Sequence, residues 1–181
     1  MDNLIRCYDE AVKSDVCNDI VSKFEANPGH HEKFEETGVS FTQLDMIKHK
    51  DVWAADMASL MNDMFEVVSE YKKEINPMWP ERTSFESFRI KKYEPNTDQF
   101  SQHVDCTNLA NSKRFLVFFL YLTDNYKGAT VIEPIGSEPV VSASKKGSVL
   151  VFPPFWNFPH RGESPIISPK YIVGSYMHYT K

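Results

Sequence analysis

The pattern of hydrophobic and polar positions predicts a mainly helical first part and a strand-rich second part of the chain. Residues 3–8 are typical of a short opening strand. After Ser14, a favourable N-cap, apolar residues recur at helical spacing as far as an Asn-Pro-Gly stop. Residues 28–46 are mostly polar and predict an irregular or weakly extended segment. The longest helical period runs from about residue 48 to 75 and ends at a proline-containing segment.

One face of this long segment is apolar and rich in methionine. Its members are Trp53, Met57, Leu60, Met61, Met64, Phe65 and Val68. A stripe at this spacing usually packs in a core, although methionine-rich faces also bind partner proteins. We therefore expect a core helix and keep a protein-interaction face as the rival interpretation.

After Pro80 the pattern changes to short extended runs separated by turn signals. The predicted strands are residues 84–93, 100–105, 114–122, 130–133, 140–142, 148–152 and 171–179. The third run is almost continuously apolar, as in a central strand that is buried on both faces. Short strands at regular spacing favour an antiparallel sandwich or barrel. We expect one α+β domain over residues 1–181, with helical support in about 1–80 and a β core in about 81–181.

Composition and charge narrow the classes of function. The net charge of −5 over 181 residues disfavours nucleic acid as the main partner, because binding its backbone needs a basic surface. Cys7, Cys17 and Cys106 form no CxxC pair, which favours reduced thiols. There is no apolar signal-peptide region, and no apolar run approaches the ~18 residues of a membrane span. We expect a cytoplasmic protein without a membrane partner.

His103 and Asp105 supply the candidate chemistry. Residues two apart on an extended strand point to the same face, so an imidazole and a carboxylate would project side by side. They would supply two of the three ligands in the two-His, one-carboxylate set that binds non-haem Fe(II). His160, in an aromatic and proline-containing loop, is the candidate for the third ligand.

Lys170 places a charge at the start of the last strand. The same face of that strand carries Ile172, Gly174, Tyr176 and His178. If this face points inward, the ammonium enters an apolar cavity and requires an anionic partner, because an unpaired buried cation is costly. A dicarboxylate ligand would supply that partner, and Gly174 would leave room beside it.

Together, His103-x-Asp105, His160 and Lys170 resemble the pattern of the Fe(II)/2-oxoglutarate-dependent oxygenases, in particular the prolyl 4-hydroxylase-like branch. The resemblance covers about half of the chain, residues 88–179. It implies a double-stranded β-helix core of the jelly-roll or cupin type, with the N-terminal helices packed on one face. It also implies that Fe(II) is bound by the two histidines and the aspartate, and the distal carboxylate of 2-oxoglutarate by Lys170.

The resemblance further implies roles for three tyrosines and a type of reaction. Tyr93 looks like the family's cosubstrate-site tyrosine, and Tyr121 resembles the tyrosine that hydrogen-bonds the distal carboxylate. Tyr176 falls at an inward aromatic position of the last strand, and Phe119 is expected beside Tyr121. The implied reaction consumes O2, hydroxylates a C–H bond and releases succinate and CO2, and it admits ascorbate as a reductant.

The substrate is less well defined by the sequence. The resemblance favours a prolyl residue in a peptide or protein, with a free amino acid or another small molecule as the alternative. A jelly-roll module that binds metal without catalysis and a nucleic-acid dealkylase are the rival functions. The family's Gly-Gly-Glu-Thr stretch reads Gly128-Ala129-Thr130 here, and the loop 107–113, expected near the substrate mouth, matches no pattern of the family. A compact chain without a secretion signal looks bacterial or phage-like.

Overall fold

This computed structural model describes residues 4–75 and 77–181. They contain two helices and twelve strands. The helices are α1 (Ser14–Glu25) and α2 (Lys50–Ile75), with a 3-10 turn at Pro28–His30. The strands are β1 (Arg6–Tyr8), β2 (Glu32–Glu36), β3 (Val39–Asp45), β4 (Thr83–Phe85), β5 (Arg89–Tyr93), β6 (Gln99–His103), β7 (Arg114–Tyr121), β8 (Asn125–Ile132), β9 (Val140–Ser144), β10 (Val149–Phe152), β11 (His160–Gly162) and β12 (Lys170–Tyr179).

The strands form one antiparallel ladder that folds back on itself. Its order is β1-β10-β7-β12-β5-β3-β6-β11-β8-β9, with β2 added to β3 and β4 added to β12. The ladder passes from a larger to a smaller sheet between β3 and β6, where Val39 pairs with Phe100 and Ser40 with Gln99. Side chains from both sheets meet in one inner hydrophobic cluster. This arrangement is a double-stranded β-helix with two helices added, as predicted.

Strand β7 separates two hydrophobic cores. Phe118 and Leu120 pack in an outer core, whereas Phe119 and Tyr121 point into the inner cluster. This alternation follows from the period of two along a strand, and it explains why the segment is apolar throughout. The helices cover the outer core with Ile20, Phe24, Trp53, Leu60, Met64 and Val68.

The apolar stripe of α2 is mainly core, as predicted. Trp53 and Leu60 are fully buried, and Met64 is 2% exposed. Phe65 is the exception at 52% exposure, because it lies at the edge of the stripe and contacts Phe85 edge-on. Burial of these side chains disfavours the interpretation of the stripe as a surface for partner proteins.

Residues 28–46 are more regular than the sequence predicts. Strands β2 and β3 form a hairpin, and β3 continues into the large sheet beside β5. Gly38 in the turn has a φ of +79°, which glycine adopts without steric cost. Of the two alternatives, the extended segment is observed and the irregular one is wrong; the charged residues of the edge strand β2 obscure the alternation of Val39 and Phe41 in β3.

Other predicted boundaries also change. The run 84–93 is two strands, β4 and β5, which pair with successive parts of β12. Strand β8 begins at Asn125, before the predicted run 130–133. His160, predicted to lie in a loop, begins β11; three residues after a proline are too short to show a strand period.

Two of the predicted boundaries fall on residues outside those that the structure describes. The opening strand predicted for residues 3–8 is observed as Arg6–Tyr8, and residue 3 lies outside the described residues, as does residue 76 after α2. Among the described residues, neither helix combines the length and hydropathy that a membrane span requires.

Replacing Leu60 by alanine should lower the free energy of unfolding by about 3 kcal/mol, because it leaves a cavity in the outer core. The matched control is Leu109→Ala, at a side chain that is 90% exposed, which should change stability by less than about 0.5 kcal/mol. Urea denaturation measures both values. Equal stability of the two variants would contradict the placement of the α2 stripe in the core.

Candidate metal and cosubstrate site

Backbone pairing brings two distant histidines together. His103 is the last residue of β6, His160 is the first of β11, and the two are direct partners across these antiparallel strands. Directly opposed residues have Cβ atoms about 4.5–5.5 Å apart, and here the ring centroids are 4.3 Å apart. His160 also pairs with Ile132 of β8, so its backbone is held on both sides. The strand register therefore determines the spacing of the two imidazoles.

Asp105 reaches the same point from the segment that follows β6. Its Oδ2 lies 3.3 Å from His160 Nε2, and its Oδ1 lies 3.8 Å from His103 Nε2. One candidate ligand atom from each of the three residues lies within 4.8 Å of the others. The premise that His103 and Asp105 share a strand is wrong, because β6 ends at His103. The bend after β6 nevertheless directs the carboxylate toward the imidazoles.

Backbone carbonyls orient both rings. His103 Nδ1 is 2.8 Å from Ser101 O, and His160 Nδ1 is 3.1 Å from Phe158 O. Since a carbonyl oxygen only accepts hydrogen bonds, each Nδ1 carries the proton and donates it. When the ring is neutral, its Nε2 then carries the lone pair, which is the form of histidine that binds a metal ion.

The charge states of His103 and Asp105 also suit a cation. Burial, and then the neighbouring His160, lower the pKa of His103 to about 4, so the ring is neutral at pH 7. Burial alone would raise the pKa of Asp105, but contacts with His160, His103 and Tyr176 outweigh it and lower the pKa to about 2. The Tyr176 hydroxyl donates to Asp105 Oδ1 at 2.8 Å and holds the carboxylate in place. Burial and the charge of Asp105 raise the pKa of Tyr176, so this donor keeps its proton.

Two polar atoms at the centre of the site lack hydrogen-bond partners. Asp105 Oδ2 and His160 Nε2 are buried, and neither forms a hydrogen bond with the described residues. Leaving such atoms unsatisfied costs roughly 1–3 kcal/mol each. A metal ion between them would satisfy both. Two imidazoles and one carboxylate, converging from one side, are the donor set of non-haem Fe(II) sites, so the residues present fit that ion.

Lys170 lies in the same cavity and is almost completely buried. Its Nζ donates to the carbonyl oxygens of Gly128 at 3.0 Å and Glu163 at 3.3 Å, and it forms no ion pair with the described part of the chain. Burial lowers the pKa of Lys170 to about 8, and the charge of Glu163 partly opposes this effect. A buried ammonium that faces carbonyls is stabilised further by an anionic ligand.

Two glycines leave the space that the lysine occupies. A Cβ at Gly128 would lie 3.2 Å from Lys170 Cδ, and one at Gly162 would lie 3.8 Å from Lys170 Nζ. A side chain at Gly128 would therefore displace the lysine stem. The glycine that is retained in Gly128-Ala129-Thr130 has a physical role, although the rest of that stretch departs from the family pattern.

The predicted tyrosines occupy different positions. Tyr93 lines the cavity, and Lys170 Nζ lies 4.8 Å from its ring centroid. Tyr176 also lines it, but its hydroxyl is directed to Asp105. Tyr121 is fully buried behind the cavity wall and donates to Thr130 Oγ1 at 2.9 Å, and Thr130 in turn lines the cavity. The structure therefore brings Tyr93 and Tyr176 to the site, whereas Tyr121 contacts it through Thr130.

The sequence analysis missed several cavity residues. Lys91 lies two positions before Tyr93 on β5, so strand alternation could have identified it as inward-facing. Phe100 stacks on His103 with ring centroids 3.8 Å apart. Thr130 faces the cavity from β8 and is the first residue of the run predicted as 130–133. Phe119 lines the cavity, as expected.

Arg161 does not reach the cavity, although it follows His160 directly. Its guanidinium pairs with Glu133 and Glu163 at the surface. This position follows from strand alternation, because His160 points inward and its neighbour in β11 points outward.

The fold matches structures of known oxygenases. A Pseudomonas putida prolyl-4-hydroxylase superposes with a TM-score of 0.75 at 12% identity, over 98% of this chain and 94% of that one. A Trichoplax adhaerens prolyl hydroxylase, solved with a peptide fragment of the hypoxia inducible factor oxygen degradation domain, gives 0.79 at 12% identity, over 98% and 84%. A viral collagen prolyl hydroxylase of Paramecium bursaria Chlorella virus 1, in its 2-oxoglutarate complex, gives 0.66 at 14% identity, over 98% and 97%.

At these identities the likeness shows the fold. The chain has the fold of the 2-oxoglutarate- and Fe(II)-dependent oxygenases, including prolyl 4-hydroxylases. No protein-family model and no curated protein matches the sequence. The chemistry must therefore be argued from the residues of this chain.

Replacing His160 by alanine should weaken binding of Fe(II) or Mn(II) at least about 100-fold, because the site loses one of three donors and its most buried imidazole. Anaerobic calorimetric titration measures the affinity. His178→Ala is the matched control, because this histidine lies on β12 with its Nδ1 at the Tyr179 carbonyl and is not among the candidate ligands. Unchanged metal affinity in His160→Ala would remove the assignment.

Proposed function

We propose that this chain is an Fe(II)- and 2-oxoglutarate-dependent dioxygenase that hydroxylates a C–H bond and forms succinate and CO2. The observation that carries the proposal is the convergence, in one cavity, of His103, Asp105, His160 and the buried ammonium of Lys170. Metal ligands alone would suit many proteins. A buried cation in the same cavity adds a reason to bind a dicarboxylate beside the metal.

In this proposal His103 Nε2, His160 Nε2 and a carboxylate oxygen of Asp105 bind the iron. The carbonyls of Ser101 and Phe158 hold the two rings in the metal-binding tautomer, and Tyr176 holds the carboxylate. Such outer contacts orient ligands before the metal arrives. With 2-oxoglutarate and O2, the bound iron would supply the oxidising chemistry of the reaction.

Lys170 is the proposed partner of the distal carboxylate of 2-oxoglutarate. Its ammonium can form a charge-assisted hydrogen bond, which is stronger and more directional than a neutral one. Thr130, oriented by Tyr121, and Tyr93 line the same part of the cavity and provide hydroxyl groups. Together these residues would orient the cosubstrate so that its other end faces the metal ligands.

Apolar side chains would limit access of water to the reacting atoms. Phe152 contacts His160 edge-on with centroids 4.8 Å apart, and Phe100 covers His103. Phe119 and Ile172 complete the apolar lining. A partly dry cavity strengthens the ionic contact of the lysine and protects reactive species from side reactions.

A prolyl residue in a peptide or protein is the proposed substrate, with a free amino acid or another small molecule as the alternative. The likeness to prolyl hydroxylase structures, one of them solved with a peptide, supports the first choice. Candidate peptides containing proline can be incubated with the enzyme and examined by mass spectrometry for a gain of one oxygen atom. Assays with and without ascorbate test whether this reductant sustains turnover.

The direct test of the reaction uses the purified protein with Fe(II) and 2-oxoglutarate. Without oxygen, the mixture should develop the weak visible charge-transfer band of the iron chelate, and oxygen should then produce succinate. His103→Ala should lose both signals and keep the far-ultraviolet circular dichroism of the wild type, because the pairing of β6 with β11 uses backbone groups that alanine also has. His178→Ala, away from the cavity, should retain both.

Three outcomes would decide the assignment. Absence of both the band and succinate in the wild type would favour a jelly-roll module that binds metal without oxidation. Full turnover by His103→Ala would exclude the proposed ligand set. A band without succinate would separate cosubstrate binding from catalysis.

Binding of 2-oxoglutarate should weaken above pH 8. In the free protein the lowered pKa of Lys170, about 8, means that the amine is increasingly neutral above that pH, so binding a dianion must take up a proton. The dissociation constant should then rise by up to about tenfold per pH unit above 8 and be nearly constant below it.

Calorimetry with the redox-inert Zn(II) form measures this dependence between pH 6.5 and 9.5. Lys170→Arg keeps its charge over the whole range and should show no such slope, whereas Lys170→Met should bind weakly at every pH. An affinity of the wild type that is independent of pH would contradict the role of a titrating Lys170.

A further inference from the structure

A second, positively charged chamber opens beside the candidate iron site. It has a volume of about 110 Å³, enough for several water molecules or a small anionic group. The chamber is lined by Gln43, Arg89, Lys91, Arg114, Phe119, Gly174 and Tyr176. Lys91, Phe119 and Tyr176 also line the metal cavity. A ligand in the metal cavity could therefore extend a group into this chamber.

The register of two strands places the chamber along the same inner face as the cosubstrate lysine. Lys170 of β12 opposes Tyr93 of β5, and Gly174 opposes Arg89, with Lys91 between these rows. A Cβ at Gly174 would lie 3.4 Å from the ring of Phe119, and its absence leaves space at this end of the inner face. The chamber and the Lys170 site are thus separate positions along one face.

Two of the three cations in the chamber already have carboxylate partners. Arg114 donates to both carboxylate oxygens of Glu86 at 2.8 Å. Arg89 lies 3.3 Å from Asp45 and 3.8 Å from Glu86. These pairs neutralise the arginines and hold the chamber wall in a fixed geometry.

Lys91 has no such partner. Its ammonium forms neither an ion pair nor a hydrogen bond with the residues that the structure describes, and it lies 4.6 Å from the ring centroid of Phe41 and 5.3 Å from that of Phe100. Lys91 is only partly buried, and cation–π contacts of this kind offset part of the cost of moving its ammonium away from water. Burial lowers the pKa of Lys91 to about 8, with Asp105 opposing, so the amine is mostly charged at neutral pH.

The cosubstrate does not need this second cation. Lys170 is the buried ammonium that the proposed function assigns to the distal carboxylate, and Asp105 is directed to the two imidazoles. Lys91 therefore still lacks an anionic partner among the described residues, and it lies in the part of the cavity nearest to the chamber. Its natural complement is an anion carried by the compound that is oxidised.

We propose that the chamber binds a carboxylate of the substrate, with Lys91 as its ion-pair partner. The inference rests on the proposed function and adds to it a substrate class: compounds that bear a carboxylate close to the carbon that is hydroxylated. The α-carboxylate of a free amino acid and the acidic side chain of a residue beside a peptidyl proline share this chemistry, and the experiment distinguishes them.

The test measures binding to the Zn(II)-loaded protein, with and without 2-oxoglutarate, by calorimetry. One pair of probes is N-acetyl-L-proline and N-acetyl-L-prolinamide. The other is acetyl-Ala-Pro-Asp-Ala-amide and acetyl-Ala-Pro-Asn-Ala-amide. In at least one pair, the wild type should bind the acid about 10- to 100-fold more tightly than its neutral amide, as expected for a charge-assisted contact. The pair that shows the preference identifies the source of the carboxylate.

Variants of Lys91 assign the preference to this residue. Lys91→Met keeps the apolar stem and should abolish the preference, whereas Lys91→Arg should retain it. Lys92→Met is the matched control, because Lys92 lies on the opposite face of β5 and pairs with Glu25 and Glu94. It should retain the preference of the wild type. Thermal unfolding verifies that each variant is folded.

The possible failures have different meanings. Equal binding of acid and amide by the wild type in both pairs, or a preference that persists in Lys91→Met, would overturn the inference and leave the proposed function intact. Loss of 2-oxoglutarate affinity in Lys91→Met would assign this lysine to the cosubstrate and also overturn it. Failure of the wild type to bind metal or 2-oxoglutarate would instead count against the proposed function.

Discussion

The site depends on the pairing of β6 with β11. This short ladder sets His103 opposite His160, and its position between β3 and β8 ties the two imidazoles to both sheets of the double-stranded β-helix. A shift of one residue would turn one imidazole to the other face of the sheet. Because backbone hydrogen bonds determine the register, the geometry for a metal exists before any metal binds. The ring nitrogens that face carbonyl oxygens extend this preorganisation to the choice of tautomer.

Positive charge inside the cavity is the second constraint on its ligands. Lys170 and Lys91 both project into it from neighbouring strands, and neither has a carboxylate partner among the described residues. An enclosure of this kind favours ligands with negative charge at two separate positions. Gly128 leaves room for the stem of Lys170, because a Cβ there would lie 3.2 Å from Lys170 Cδ. The fold itself, which is shared by proteins at 12–14% identity, does not specify this distribution of charge.

Much of the fold and of the site could be predicted from local patterns. The two helices and the long β7 and β12 strands have periods that continue for several residues, so their type is unambiguous in the sequence. The short strand β11 and the edge hairpin of β2 and β3 could not be predicted, since pairing with distant strands stabilises them more than local propensity does. For the same reason local patterns do not reveal that the Tyr121 hydroxyl donates to Thr130 Oγ1, a contact that depends on packing between strands.

By itself, the sequence determined which side chains were available: an imidazole and a carboxylate two residues apart, a second imidazole, and a lysine at the head of the last strand. It also determined the alternation that sends Lys170, Ile172 and Tyr176 to one face. Only the tertiary structure decided that Asp105 lies in a bend, that Tyr176 hydrogen-bonds it, and that Lys91 has no carboxylate partner among the described residues. The reason is physical: periodicity specifies the direction of a side chain relative to its own strand, whereas distances between strands depend on register and on the folding of one sheet over the other.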